Sequence, residues 1–135
     1  MKIKLINFGY KNPPKRGHYN DAGADVYATQ TVVVEPHTTY KMPLGFGLEL
    51  PDGYYGMIFG RSSTYNKGIT MGLPPIDSGY KGEIHCLINN FTDVPYYIEE
   101  GDRVGQLVIM PVTIAEFVED LGDERGSGAF GSTGK

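Results

Sequence analysis

Glycine and proline interrupt this chain so often that a long helix has no room to form. There are 19 glycines, about twice ordinary usage, and 9 prolines among 135 residues. The stretches between those breaks are short and carry β-branched and aromatic residues, so the expected class is all-β. The length suits one domain with a real core, near the lower end of enzyme size, where an active site often needs a neighbouring subunit.

Residues 2–6 alternate Lys-Ile-Lys-Leu-Ile, the pattern of a strand with one buried face. Residues 10–20, with two prolines and several basic residues, read as a loop. Val32-Val33-Val34, closed by Glu35-Pro36, and the aromatic run 54–59 read as further strands. Residues 40–50 form one expected strand in which Gly45 and Gly47 mark a bulge or close crossing, ended by the turn Pro51-Asp52-Gly53. Residues 84–89 and 96–98 are strands separated by a turn at 92–95. After a turn at 99–103, residues 104–112 are apolar apart from Gly105, Gln106 and Pro111, which predicts burial on both faces. Residues 114–118 are expected to form a last short strand.

The net charge of -4 leaves no electrostatic footprint for a polymeric nucleic acid. The single cysteine, Cys86, rules out an intramolecular disulfide and a multi-cysteine zinc site, and suits a reducing compartment. The first residues lack the apolar core of a secretory signal, and no 18-residue apolar run occurs, so the expectation is a cytoplasmic protein with no membrane contact.

Several segments carry groups suited to chemistry. Pro74-Pro75-Ile76-Asp77-Ser78-Gly79-Tyr80-Lys81-Gly82-Glu83 reads as a tight hairpin. It places the Asp77 carboxylate on stiff backbone beside the apolar Ile76, and the Tyr80 ring among turn glycines. By itself this fits an ordinary turn as well as a general base and a stacking ring. Asp21-Ala22-Gly23-Ala24-Asp25-Val26 combines small residues, which allow close backbone approach, with two acids four apart; either acid faces a ligand or metal, or ends a loop and caps a turn. Gly60-Arg61-Ser62-Ser63 sets a guanidinium fork beside two hydroxyls at a strand end, suited to phosphate or equally to a surface arginine and an N-cap serine. Gln106 in an apolar strand must bond to neighbouring backbone or to a ligand at the strand mouth.

From residue 121 onward a third of the residues are glycine, and the only large apolar one after Leu121 is Phe130. Such a tail cannot fold on itself. Its Gly126-Ser127-Gly128-Ala129-Phe130-Gly131 matches a dinucleotide-binding pattern, yet no helix or βαβ unit has room to follow. The Gly-Ser-Thr-Gly-Lys at 131–135 lacks both the first glycine and the final hydroxyl residue of a phosphate loop. What remains is a strap carrying Arg125, Phe130 and Ser132-Thr133, able to close over a nucleotide.

Taken in order, five segments resemble the five motifs of the trimeric dUTP diphosphatase (dUTPase) family. They are residues 21–26, Gly60-Arg61-Ser62-Ser63, Ile76 to Glu83, Gly101-Asp102-Arg103-Val104-Gly105-Gln106-Leu107, and Arg125 to Gly134. The resemblance implies a distorted jelly-roll or β-barrel over residues 1–120, with residues 121–135 as a flexible strap that closes over a neighbouring subunit's site. It implies a homotrimer with shared sites and hydrolysis of dUTP to dUMP and pyrophosphate. It assigns Asp77 as the base that activates water, and Tyr80 as the ring on the deoxyribose. Uracil is read by the hairpin around Ile76. Arg61, Ser62, Ser63 and Gln106 hold phosphates, and Asp25 anchors Mg²⁺ through water. Arg125, Gly131, Ser132 and Thr133 grip the γ-phosphate while Phe130 stacks on the base.

The chain departs from the family pattern at Pro74-Pro75, where a glycine and a small aliphatic residue are usual, at Ala129, and in a segment from Arg61 to Asp77 that is one residue short. Two other readings stand beside this one. A dCTP deaminase on the same fold would carry a catalytic glutamate at the point where Leu87 stands. A nucleotide-responsive module that binds a regulatory protein partner would have no need of Asp77 or the strap.

Overall fold

The structure is a computed structural model that describes residues 1–122. Ten strands and one helical turn follow in the order β1 Lys4–Asn7, β2 Ala24–Tyr27, β3 Val32–Val34, β4 Thr38–Pro43, β5 Phe46–Glu49, β6 Tyr54–Phe59, α1 Ser62–Tyr65, β7 Ile69–Ile76, β8 His85–Asn90, β9 Tyr96–Ile98 and β10 Arg103–Pro111. The pairings are antiparallel. A six-stranded sheet runs β2-β10-β6-β7-β8-β4, and two-stranded ribbons β1-β5 and β3-β9 flank it. The all-β expectation is met, and the curled sheet is the distorted jelly-roll.

Alternation decides which side chains go inside. Along β8, Cys86, Ile88 and Asn90 are buried while His85, Leu87 and Asn89 are only half-buried. Met42, Leu44, Phe46, Leu48, Ile58, Ile69, Ile84 and Val104 join that inner face in one continuous core. Asn90 is the polar exception, and its amide is fully used. Nδ2 donates to the carbonyls of Val34 (2.9 Å) and Val94 (2.8 Å), and Oδ1 accepts from the Thr92 amide (2.9 Å) and hydroxyl (2.7 Å). It thereby ties the 92–95 turn to β3.

Four expectations are corrected. Residues 40–50 are two strands, because Gly45 adopts φ 82 and turns the chain between β4 and β5. Residues 114–118 form no strand: no neighbouring strand offers them a ladder, and Ile114, Phe117 and Val118 are exposed. β10 is buried on both faces only in its first half; Val108, Ile109 and Met110 are half-exposed, since just β6 flanks them there. Pro74, Pro75 and Ile76 belong to β7 rather than to a tight hairpin, a strand that glycine and proline hid from the sequence pattern.

That last strand carries a bulge. Gly56 faces Ile76 and Ile58 faces Leu73, so two steps along β6 are matched by three along β7. The extra residue falls at Pro74-Pro75. Proline has no amide hydrogen for a ladder, and a bulge is where a strand tolerates it.

Candidate active site

β10 runs between β2 and β6, and Gln106 is where the three strands meet: it faces Asp25 on one side and Phe59 on the other. Residues directly opposite in antiparallel strands project to the same face, so Asp25 and Gln106 share one surface. The Gln106 side chain lies over β2. A Cβ added to Gly23 would come within 2.6 Å of Gln106 Oε1 and 2.9 Å of its Cβ, which explains a glycine there. Gln106 Nε2 donates a long 3.4 Å hydrogen bond to the Gly60 carbonyl, just before Arg61. The backbone partner expected for a semi-buried amide therefore exists, and it couples Gln106 to the Arg-Ser-Ser segment.

A second link comes from Arg103, whose Nη1 lies 3.5 Å from Asp25 Oδ2. Asp25 sits within β2 and caps no turn, whereas Asp21 does end a loop, its carboxylate accepting the His18 amide at 2.8 Å.

Arg61 stands at the N-terminus of α1 with an extended backbone and is half-buried. Its guanidinium forms no ion pair or hydrogen bond among the described residues. It lines two adjoining clefts. One, of about 280 Å³, is shared with Tyr96, Asp102 and Arg103; the other, of about 410 Å³, with Phe59, Ser62, Tyr65 and Thr70. Burial pushes the Tyr96 phenol up from its ordinary value, the Asp102 carboxylate pushes it the same way, and Arg61 opposes. Ser62 and Ser63 are exposed at this mouth.

The Asp77 hairpin is built elsewhere. Ile76 is buried and anchors it, while Asp77 is exposed, with its carbonyl accepting the Tyr80 amide at 3.0 Å. The Tyr80 ring folds back over Gly82, where an added Cβ would meet its hydroxyl at 2.6 Å, and that hydroxyl donates to the Glu83 carbonyl at 2.8 Å. Glu83 Oε2 accepts the Gly45 amide (2.9 Å), and the Ile84 amide donates to the Phe46 carbonyl (2.8 Å). Ser78 Oγ donates to Asp52 Oδ1 at 3.0 Å. Two separate segments, Gly45-Phe46 and the turn at Asp52, thus fix the hairpin. β7 and β8 pair only as far as Gly72 and Leu87, so the arms of the hairpin splay beyond that point and leave unpaired backbone between them.

The structure therefore brings Asp25, Arg61, Ser62, Ser63 and Gln106 together and keeps Ile76, Asp77 and Tyr80 apart from them. Arg125, Phe130, Gly131, Ser132 and Thr133 lie outside the described residues. Sequence reasoning gave no role to Arg103 or Glu83, and for Gly23 only that small residues allow close approach. The signal was a charge at a turn glycine, immediately after Gly82 for Glu83 and two residues after Gly101 for Arg103.

Residues 10–134, nearly the whole chain, match the family model described as dUTPase. The chain belongs to the dUTPase family. It is 43% identical to the deoxyuridine 5'-triphosphate nucleotidohydrolase of Tropheryma whipplei strain Twist over 97% of this chain and 93% of that protein. The Corynebacterium glutamicum enzyme of the same name is 40% identical over 98% and 95%. Among solved structures, the dUTPase from phage phi11 of S. aureus superposes with a TM-score of 0.81 at 26% identity, covering 91% of this chain and 99% of that one. A mutant of that phage dUTPase coordinates a structural Mg(II) ion; it matches with a TM-score of 0.80 at 27% identity over 89% and 98%. Among the described residues of this dUTPase, no helix is long and apolar enough to cross a membrane.

Proposed function

We propose that the protein hydrolyses dUTP to dUMP and pyrophosphate at sites completed by neighbouring copies of itself. The observation that carries this reading is that Asp25 and Gln106 share one face and that Gln106 bonds to the carbonyl just before Arg61, whose side chain lines two open clefts.

In this reading Arg61, Ser62, Ser63 and Gln106 hold the phosphates, the guanidinium being half-buried and free of a protein counter-ion. The exposed Asp77 carboxylate takes a proton from water as its oxygen attacks the α-phosphorus. The bond from that phosphorus to the bridging oxygen breaks, and the electron pair leaves with pyrophosphate. Tyr80, held over Gly82, packs on the deoxyribose. Unpaired backbone at the splayed hairpin mouth near Ile76 reads the base. Arg125, Gly131, Ser132 and Thr133 grip the terminal phosphate and Phe130 covers the base, excluding bulk water.

Asp25 fits Mg²⁺ only through water. It is a single carboxylate already shared with Arg103, and no three metal-ligating side chains cluster among the described residues. Mg²⁺ keeps most of its waters and binds where phosphates supply the remaining oxygens, neutralising charge on the tail. A homotrimer is supported by the exposed Ile114, Phe117 and Leu121, which leave the body of the chain with no partner strand and suit the surface of another copy. The division into a β domain over 1–120 and a strap over 121–135 is carried by the glycine-rich composition of the tail. A reducing, cytoplasmic setting agrees with the buried free Cys86.

Leu87 is a half-buried β8 residue facing Lys41 and Gly72, and it offers no carboxylate for deamination of dCTP. The test is direct. Purified protein with dUTP and Mg²⁺ should release pyrophosphate, with dCTP and UTP much poorer substrates. Absence of pyrophosphate would sink the reading, and ammonia from dCTP would promote the deaminase. Removing residues 124–135 should abolish turnover and leave the oligomer intact by light scattering.

A further inference from the structure

The face that carries Asp25 and Gln106 extends one strand further. Lys15 and Asp25 exchange both backbone hydrogen bonds, Lys15 N to Asp25 O at 3.0 Å and Asp25 N to Lys15 O at 2.7 Å, an isolated antiparallel bridge on the free edge of β2. A directly opposed pair of this kind sends both side chains to the same face. Lys15, Asp25, Gln106 and Phe59 therefore form a row across four segments, with Arg103 reaching Asp25 from the same side and Arg61 two residues beyond Phe59.

The cations of the 10–20 loop differ in what they do. Lys11 is engaged by Glu100 at 2.9 Å, and Arg16 Nε donates to the Asp21 carbonyl at 3.0 Å. Lys15 is exposed, and its ammonium makes no ion pair or hydrogen bond among the described residues. Although it stands directly opposite Asp25, that carboxylate is turned to Arg103. Arg103 pairs with Asp25, Lys15 stands opposite it on the neighbouring segment, and Arg61 lies beyond Phe59 at the other end of the row. Adjacent strands lie about 5 Å apart, so Lys15 stands roughly 10 Å from Gln106 across the sheet, on the side away from Arg61.

We propose that Lys15 is a further phosphate-binding residue of this site, contacting the far end of the triphosphate tail, the end that leaves as pyrophosphate. The inference rests on the functional reading above. It assigns to the loop before the first motif a role in binding polyphosphate rather than nucleoside.

Calorimetric titration with pyrophosphate and with dUMP, alongside steady-state kinetics on dUTP, separates the possibilities. Lys15→Gln should weaken pyrophosphate binding and raise KM for dUTP by roughly five- to tenfold, the size of one exposed charge-assisted contact. Affinity for dUMP should hold, and Lys15→Arg should recover most of the loss. Lys11→Gln, whose cation is engaged elsewhere, should bind pyrophosphate as the unaltered protein does. Unchanged pyrophosphate affinity in Lys15→Gln, or an equal loss for dUMP, would overturn the assignment. If the unaltered protein bound neither dUTP nor pyrophosphate, the functional reading itself would fall.

Discussion

Asp77 and Arg61 stand at opposite ends of the β6–β7 ladder. Gly60, which leads into Arg61, packs against the Met71 carbonyl, whereas Asp77 follows Ile76, which faces Gly56. Six residue steps along β7 separate Met71 from Asp77, on the order of 20 Å of strand. One chain thus holds the proposed base at Asp77 and the proposed phosphate fork at Arg61 far apart, which is why the proposed function draws them from two copies. Asp77→Asn should accordingly leave oligomer and nucleotide affinity in place while lowering kcat by about two to four orders of magnitude, as loss of a general base does. Binding of a non-hydrolysable dUTP analogue, measured beside turnover, checks both halves.

Glu83 fastens the hairpin to the β4–β5 turn through the Gly45 amide. Replacing it with Ala removes a part-buried, charge-assisted bond and should cost about 1–3 kcal/mol of stability. Because the Tyr80 hydroxyl bonds to the Glu83 carbonyl, KM for dUTP should rise as well. Denaturant unfolding and steady-state kinetics on one variant measure the two effects.

Gly23 leaves the space that Gln106 fills. Gly23→Ala places a methyl 2.6 Å from Gln106 Oε1, so the amide must swing away from the Gly60 carbonyl. The expected result is a raised KM and a stability loss of about 1–3 kcal/mol from overpacking. Pairing it with Gln106→Ala in a double-mutant cycle should recover only part of that stability loss, since the contacts with Oε1 and Cγ go while the Gln106 Cβ, 2.9 Å from the added methyl, stays.

These residues also mark what the sequence made legible. Strands with clear alternation or β-branched runs, such as β3 and β6, were readable, and so was the all-β class. β7 was not, because Gly72, Pro74 and Pro75 break every local strand signal; only pairing with β6 and β8 holds it extended. Residues 114–118 have strand composition without a strand partner. At the site, residue types and order were visible, but the grouping was not. That Gln106 faces Asp25 is a fact of register, set by the bulge after Arg103, and no spacing along the chain encodes it.

Cys86 is buried, with burial pushing its thiol up to about 12. It should resist alkylation in the native protein at pH 8 and react on unfolding. The native state holds the thiol protonated, and the unfolded chain ionises near 9.0, so this stabilising contribution is full below pH 9 and is lost as pH rises towards about 12. Melting temperatures of the protein and Cys86→Ala across that window should converge as pH rises.

Pro74-Pro75 lie exposed in a bulge at the hairpin mouth and supply carbonyl acceptors without amide donors. A wall short of donors discriminates less well against cytosine, whose amino group seeks an acceptor where uracil presents one. Restoring donors with Pro74→Gly and Pro75→Ala should raise the ratio of kcat/KM for dUTP over dCTP by roughly tenfold, the worth of one hydrogen bond in a recognition site. An unchanged ratio would show that the base is read elsewhere on the hairpin.

The shared site is tested most directly by mixing two dead proteins. Asp77→Asn and Arg61→Ala should each be inactive alone. After co-refolding in equal amounts, a site drawing its base and its phosphate fork from different copies is intact in about one quarter of random combinations. Pyrophosphate release from dUTP should therefore return to about a quarter of the unaltered rate. No recovery, in an assembly shown by native mass spectrometry to contain both variants, would mean that one chain supplies both residues and would contradict the account.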